Sequence, residues 1–383
     1  MELPLKGIRV LDLSHMLPGP YCTMLMADMG AEVIKVERPE SGDSFRYRDP
    51  KIDGVGAAFL MVNRGKKSCA LDLRSEQGLK DFMQLAKSAD VIIEQYRPGV
   101  TNRLGIDYES VSRVNPDLVY CSISGYGQTG PYRDAPGHDI NYLSINGVLD
   151  VIGRKNSAPS IAGVQIADMC GAQWALISIL LALMARERGG SGQYIDLSMT
   201  DSVLPWLSLL LSDYAATGQP VSRGDTKSSG KYAFYNVYET SDGLYVSLGA
   251  AEPKFWSEFC RAVGRDDWIT RQTDETLIPE VAELFKTRTR DEWVLLLFNK
   301  NCCFTPVKSP AEALEDTQLK QRGMIGKLEC LNGGSVLNLS FPVKFSAFEP
   351  AKWQFPPALG EDNAELFNDK IYKKGDNNDD PTA

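Results

Sequence analysis

The chain has 383 residues, with 41 Lys and Arg against 50 Asp and Glu, a net charge of −9 and 43% hydrophobic residues. That length supports two or three compact units with sizeable cores. The acidic balance argues against nucleic acid as a partner, which calls for a basic face, and still leaves room for an anionic ligand held by a local cluster of cations.

The first part of the chain alternates strand and helix signals. Ile8–Leu13 reads as a buried strand, Gly19–Met29 as a helix after the Pro18-Gly19-Pro20 turn, and Ala31–Glu37 as a second strand. Ser68–Leu73 is a short third strand, and Ser75–Ser88 an amphipathic helix with Ser75 as its N-cap. Asp90–Tyr96 and Leu118–Ile123 are further apolar strands. Such alternation implies βαβ units and a mostly parallel sheet. Ile166–Arg188 is the most apolar helix. Its apolar core, Met169–Met184, falls short of the about 20 residues of a membrane span, so a buried core helix is expected and no membrane insertion.

Composition changes beyond about residue 215, and 201–230 reads as a linker, with Gln219–Gly230 its polar, turn-rich part. Tyr232–Leu248 reads as two strands around Ser241-Asp242-Gly243. Helices are expected at Glu252–Val263, Glu280–Lys286 and Arg290–Asn299, and strand and helix signals return at Phe304–Leu314. The expected division is therefore a large domain over 1–200, the linker 201–230, a smaller α+β domain over 231–320, a return to the large domain over 321–368, and a disordered, Asn- and Asp-rich tail over 369–383.

The eight cysteines are scattered and none forms a C-x-x-C pair, and there are only two histidines, His15 and His138. No metal site is expected. The thiols fit a reducing compartment, and no signal peptide is read at the N-terminus, so a cytoplasmic location is expected. Gly125-Tyr126-Gly127-Gln128-Thr129-Gly130 fits G-x-G-x-x-G after a strand, but a dinucleotide fingerprint must also open a helix whose N-terminus takes the pyrophosphate. Pro131 and Pro136 bracket the residues that follow and prevent a long helix from starting there. No nicotinamide or flavin cofactor is expected.

Cations recur near strand ends: Arg38 after Ala31–Glu37, the turn Asn63-Arg64-Gly65-Lys66-Lys67-Ser68, and Arg97 after Asp90–Tyr96. Ligands of open α/β sheets bind outside the carboxyl ends of strands, so these groups are read as a phosphate-binding rim. Gly137-His138-Asp139-Ile140-Asn141-Tyr142, read as a loop, sets one of the two imidazoles beside a carboxylate. Imidazole is the side chain whose unperturbed charge change lies near neutral pH.

Together with Leu17-Pro18-Gly19-Pro20, Arg38-Pro39, Gly65-Lys66-Lys67-Ser68, Arg97-Pro98-Gly99-Val100, Gly190-Ser191-Gly192-Gln193 and Leu359-Gly360-Glu361, these stretches resemble the α-methylacyl-CoA racemases. Those belong to the family III CoA-transferase (CaiB/BaiF-type) superfamily, and the resemblance runs from Gly7 to about Leu366. Three features favour the racemase branch. Gly137–Tyr142 looks like the racemase segment bearing the catalytic histidine, and Ala250-Ala251-Glu252-Pro253-Lys254-Phe255 looks like the one whose glutamate supports it. Asp225–Tyr232 lacks the glycine run of many transferases. Met169 and Cys170 depart from the racemase pattern, which has an aromatic residue and glycines after the aspartate, and bear on the acyl pocket.

The resemblance implies a doubly wound, Rossmann-like parallel sheet with a smaller α+β domain, in an interlocked homodimer whose active site joins one chain's large domain to the other's small domain. It implies an acyl-CoA thioester as substrate, with CoA part of the substrate and no separate cofactor. Arg38, Leu71, Asp72, Leu73, Arg74, Arg97, Gly137, Ile140, Asn141 and Tyr142 are the implied substrate- and CoA-binding residues. His138 and Asp168 are the implied acid/base pair, with Asp139 or Glu252 orienting the imidazole. Racemisation at the carbon α to a thioester needs two such groups on opposite faces, and the amides of the helix after Asp168 are expected to stabilise the enolate oxygen. His15 is read as ligand-proximal or structural. Two other readings stay open: a family III CoA-transferase with Asp168 as nucleophile, and a catalytically silent CoA-binding protein.

Overall fold

Apolar runs at the start of the chain become strands buried on both faces, which is why they read as continuous rather than alternating. In the computed structural model, which describes residues 1–367, they form a six-stranded parallel sheet. The tail expected to be disordered lies outside the described residues. The strands are β1 (Arg9–Asp12), β2 (Glu32–Glu37), β3 (Lys67–Ala70), β4 (Val91–Glu94), β5 (Val119–Ser124) and β6 (Gln193–Ser198), in the order β3-β2-β1-β4-β5-β6. This is the doubly wound α/β order, whose direction reverses between β1 and β4. β6 is not among the sequence expectations: Gln193, Tyr194 and Asp196 are exposed, and the strand forms as the edge partner of β5.

Four helices frame the site: α1 (Pro18–Asp28), α2 (Glu76–Ala86), α3 (Asp139–Ile145) and α4 (Ile166–Glu187). Proline in the first turn of α1 loses no helical bond, because the N–H groups there have no partner within the helix. Ser75 caps α2 by accepting from the Gly78 N–H at 2.9 Å. The segment expected as a loop around His138 is instead the start of α3: His138 is its N-cap, and the Asn141 side chain accepts the His138 N–H at 3.0 Å.

The buried-helix expectation for α4 holds on one side only. Ala167, Cys170, Ala175, Ile179 and Ala182 are buried, whereas Trp174, Ile177, Leu181 and Met184 are exposed on the other side. By length and composition alone this helix could also cross a membrane.

The described chain divides into two compact units. The first comprises Met1–Asn146, Val164–Pro205 and the stretch from Gly323. Its C-terminal stretch is tied to the edge of the sheet: Asn363 Oδ1 accepts from Ala70 N at 2.8 Å while Asn363 Nδ2 donates to Ala70 O at 3.0 Å. Gly360, at φ +73, approaches so closely that a Cβ would lie 2.9 Å from the Ala70 methyl.

The second unit comprises Gly147–Gly163 and Trp206–Arg322. Gly147–Gly163, expected within the large domain, belongs here because it is anchored by Lys155 to Asp225 at 2.8 Å and by the close packing of Gly224 on the Lys155 backbone. The stretch expected as a linker is largely helical, at Met199–Val203 in the first unit and Ser208–Thr217 in the second. The second unit's antiparallel sheet has β7 (Tyr235–Glu239) and β9 (Phe304–Pro306) on either side of β8 (Tyr245–Gly249). Trp256, Phe259, Trp268, Phe285 and Trp293 fill its core.

Candidate active site

Outside the carboxyl ends of β2, β3 and β4 lies a cleft of about 580 Å³. Arg38, Leu71, Asp72, Leu73 and Arg74, five of the residues expected to hold CoA, border it. Tyr96 and Arg103 complete the side toward β4. Arg38, Arg74 and Arg103 are exposed cations on an acidic protein, suited to phosphate oxygens. Arg103 was missed in the sequence. It lies on a short helix, Val100–Leu104, begun by Gly99 at φ +81, in which Val100 and Arg103 share one face.

The basic turn read as part of the phosphate rim serves the interior instead. It precedes β3 and so lies at the strand's amino end. Arg64 is buried against Asp28 at 2.6 Å, Lys66 is buried against Asp12 at 3.0 Å, and Lys67 pairs with Glu32 at 2.9 Å. Beside Lys66, Lys35 meets Asp43 at 3.0 Å and Arg46 meets Glu37 at 2.7 Å, forming a buried ionic layer under the ends of β1 and β2. Burial opposes the charge on Asp12, but Lys66 and Lys35, with the Ser14 and Thr23 hydroxyls, outweigh it and hold this carboxyl below the usual range.

His15 follows β1 at the point where strand order reverses. Burial, the largest influence on its ring, lowers its pKa. Met16 beside it adopts φ +65, a conformation rare for side chains of its kind, and donates its N–H to the Asp43 carboxylate at 3.1 Å.

The residues expected to form the acid/base pair converge where α3 and α4 begin. His138, at the N-cap of α3, is exposed. Asp168 lies in the first turn of α4, half-buried, and its pKa is pushed up to about 6. Burial is the main cause and the neighbouring Asp139 charge the next, with His138 acting in the opposite direction. Tyr142 packs between them and the glycine-rich segment after β5. Its hydroxyl donates to the Gly137 carbonyl at 2.7 Å, and a Cβ on Gly125 or Gly137 would lie 2.5 or 2.7 Å from its ring. Burial first, then the charges of Asp168, Tyr126 and Asp139, push its phenol up to about 12, against the pull of Arg97. Arg97, expected in the phosphate rim, is exposed after β4 and does not border the cleft; its charge reaches Tyr142 instead.

Two expectations are corrected here. Asp139 does not orient His138 through its carboxylate: its Oδ1 accepts from the Ala167 N–H at 2.6 Å and the Asp168 N–H at 3.1 Å, capping α4. The amides expected to stabilise an enolate are therefore engaged, since Met169 N also donates within the helix, to Gln165 O at 3.1 Å. Asn141, expected to face the substrate, uses its carbonyl oxygen on the His138 N–H, and Ile140 is partly exposed on the first turn of α3. Glu252 belongs to the second unit, exposed at the N-cap of α5 (Pro253–Ala262).

The comparisons with known proteins agree with this geometry. The chain is 34% identical over 327 residues to the alpha-methylacyl-CoA racemase of Homo sapiens, covering 84% of this chain and 82% of that protein. It is 29% identical over 379 residues to the succinyl-CoA:glutarate CoA-transferase of Homo sapiens, covering 96% and 86%. The crystal structure of a CAIB/BAIF family protein from Brucella suis superposes with a TM-score of 0.83 at 30% identity, over 96% of this chain and 100% of that one. Racemases and transferases stand at similar distances, so the likeness reaches the family and stops short of the reaction. Residues 5–363 match CoA-transferase family III, and it is to this family of CoA-handling enzymes that the chain belongs.

Proposed function

We propose that the protein interconverts the (2R) and (2S) epimers of 2-methylacyl-CoA thioesters by 1,1-proton transfer through an enolate. One observation carries the reading: Asp168 is a half-buried carboxyl with its pKa raised to about 6, within electrostatic reach of His138. A carboxylate used only as a nucleophile gains nothing from holding a proton near neutral pH. A group that must give a proton to one epimer and take it from the other does.

Neutral His138 removes the α-proton from one face while protonated Asp168 delivers a proton to the opposite face, and the roles exchange for the other epimer. With a pKa near 6, roughly a tenth of Asp168 is protonated at pH 7, so both directions stay open. The thioester is the substrate and CoA its handle, with Arg38, Arg74 and Arg103 as the phosphate contacts and no separate cofactor. In the homodimer, Glu252 of the partner subunit is assigned the supporting carboxylate of the imidazole. The enzyme is assigned to the cytoplasm and acts as a homodimer, for which the exposed apolar stripe of α4 is the support.

The test is incorporation of solvent deuterium at the α position across a panel of chiral 2-methylacyl-CoA thioesters with no second acid present. Exchange with loss of optical purity is expected, reduced about 10²- to 10⁴-fold by His138→Ala and by Asp168→Ala. A second reading is favoured by the transferase relatives at comparable identity: Asp168 attacks the thioester and CoA passes between carboxylic acids. Acyl transfer to an added carboxylate, with an enzyme anhydride trapped by hydroxylamine and no α-exchange, would replace the racemase reading with this one.

A further inference from the structure

We propose that Asp139 is the positioning residue of the acid/base pair, joining the helix that His138 begins to the helix that carries Asp168 and setting a fixed negative charge beside the Asp168 carboxyl. The proposal rests on the function assigned above and deepens it.

An α-helix begins with N–H groups that have no partner within the helix. At the start of α4 the N-cap position is Gln165, whose side chain makes no capping bond. The acceptor comes from another helix: Asp139 Oδ1 takes the Ala167 N–H at 2.6 Å and the Asp168 N–H at 3.1 Å. Hydrogen bonds to an ionised acceptor are roughly twice as strong as neutral ones, and a negative charge at a helix N-terminus also meets the helix dipole favourably. Asp139 follows His138 directly, as the first residue of α3. One side chain therefore fixes the backbone of Asp168 relative to that of His138, and reciprocal proton transfer depends on that spacing.

The same carboxylate acts on the proton of Asp168. The titratable and charged groups facing Asp168 are His138, Asp139 and Tyr142 from α3, with Tyr126 and Arg97 behind Tyr142. On the other packed elements Asp201 is exposed, and Asp28 in α1 is paired with Arg64. After burial, Asp139 is the influence that favours a protonated Asp168, and His138 opposes it. Removing the Asp139 charge while keeping its oxygen lets Asp168 ionise at lower pH.

Asp139→Asn and Asp139→Ala separate the two effects. Asn keeps the capping oxygen, so it lowers exchange at the optimum less than Ala does, while the limb of the pH–rate profile set by Asp168 moves down by about half a unit to one unit. Ala loses cap and charge together and lowers exchange more than tenfold at every pH, with thermal melting run alongside. Restoration of the rate by Asn without restoration of the limb is the expected signature. An Asn profile that superimposes on wild type overturns the proposal.

The carboxyl infrared band of Asp168, assigned by its loss in Asp168→Asn, reports the same titration without any reaction. A lower midpoint in Asp139→Asn supports the positioning role even where no α-exchange is found. An unchanged midpoint overturns it even where wild type racemises.

Discussion

Arg103 reaches the 580 Å³ cleft by a different route from Arg38 and Arg74. Those two follow the ends of β2 and β3, where a strand reading already points to a ligand. Arg103 projects from a five-residue helix, Val100–Leu104, that no long periodic pattern announces. A guanidinium pairs with phosphate oxygens through charge-assisted hydrogen bonds, and its weak hydration keeps the cost of desolvation low. Arg103→Ala is expected to weaken CoA binding about tenfold, in keeping with a lost hydrogen bond to a charged group, as measured by calorimetry. The loss should shrink at high salt, where exposed charges are screened. An affinity unchanged at low salt would remove Arg103 from the phosphate contacts.

At the scale of elements, the βα alternation from Ile8 to Ile123 was legible because buried parallel strands are short apolar runs between turn signals. What the residues could not disclose was which charges meet one another. Arg64, Lys66 and Lys67 look like a surface cluster in the sequence, but Arg64 and Lys66 have their carboxylates inside the fold, on α1 and β1, while Lys67 pairs with the partly exposed Glu32 on β2. The helix at His138 was missed for a related reason: it begins with a histidine at the cap and is stabilised in part by packing of Tyr142 on Gly125, which lies outside a local window. His138 and Asp168 themselves were legible as residue types, whereas the Asp139 cap that joins them is a tertiary contact with no local signal. The ionic layer makes a direct prediction. Lys66→Met leaves Asp12 buried without its nearest cation and should destabilise the protein by about 3–5 kcal/mol, read from the denaturant midpoint. Adding Asp12→Leu should recover a good part of that loss, because the two residues act as a pair. A purely additive double variant would mean that Lys35 alone suffices to hold the charge on Asp12.

At the scale of the molecule, α4 does more than carry Asp168. It is apolar around most of its circumference, yet the first unit covers only one side of it. Trp174, Ile177, Leu181 and Met184 recur at spacings of three and four residues and so form one stripe, with Leu181 61% exposed. A stripe of that spacing is the seam along which helices pack, and a contiguous apolar patch on a folded chain marks an interaction surface. The homodimer assigned above gives it an occupant, a second copy of the same stripe, as a two-fold interface requires. Leu181→Glu sets a carboxylate in the middle of that seam on both copies. Sedimentation of wild type should show a dimer, and the variant should dissociate at least tenfold more readily, since burying an unpaired charge is costly. Wild-type melting should shift upward with protein concentration, and that dependence should weaken in the variant. The helix is long and apolar enough to enter a bilayer, and wild type that is monomeric in sedimentation and partitions onto lipid vesicles would assign the stripe to a membrane and remove the dimer from the proposed mechanism.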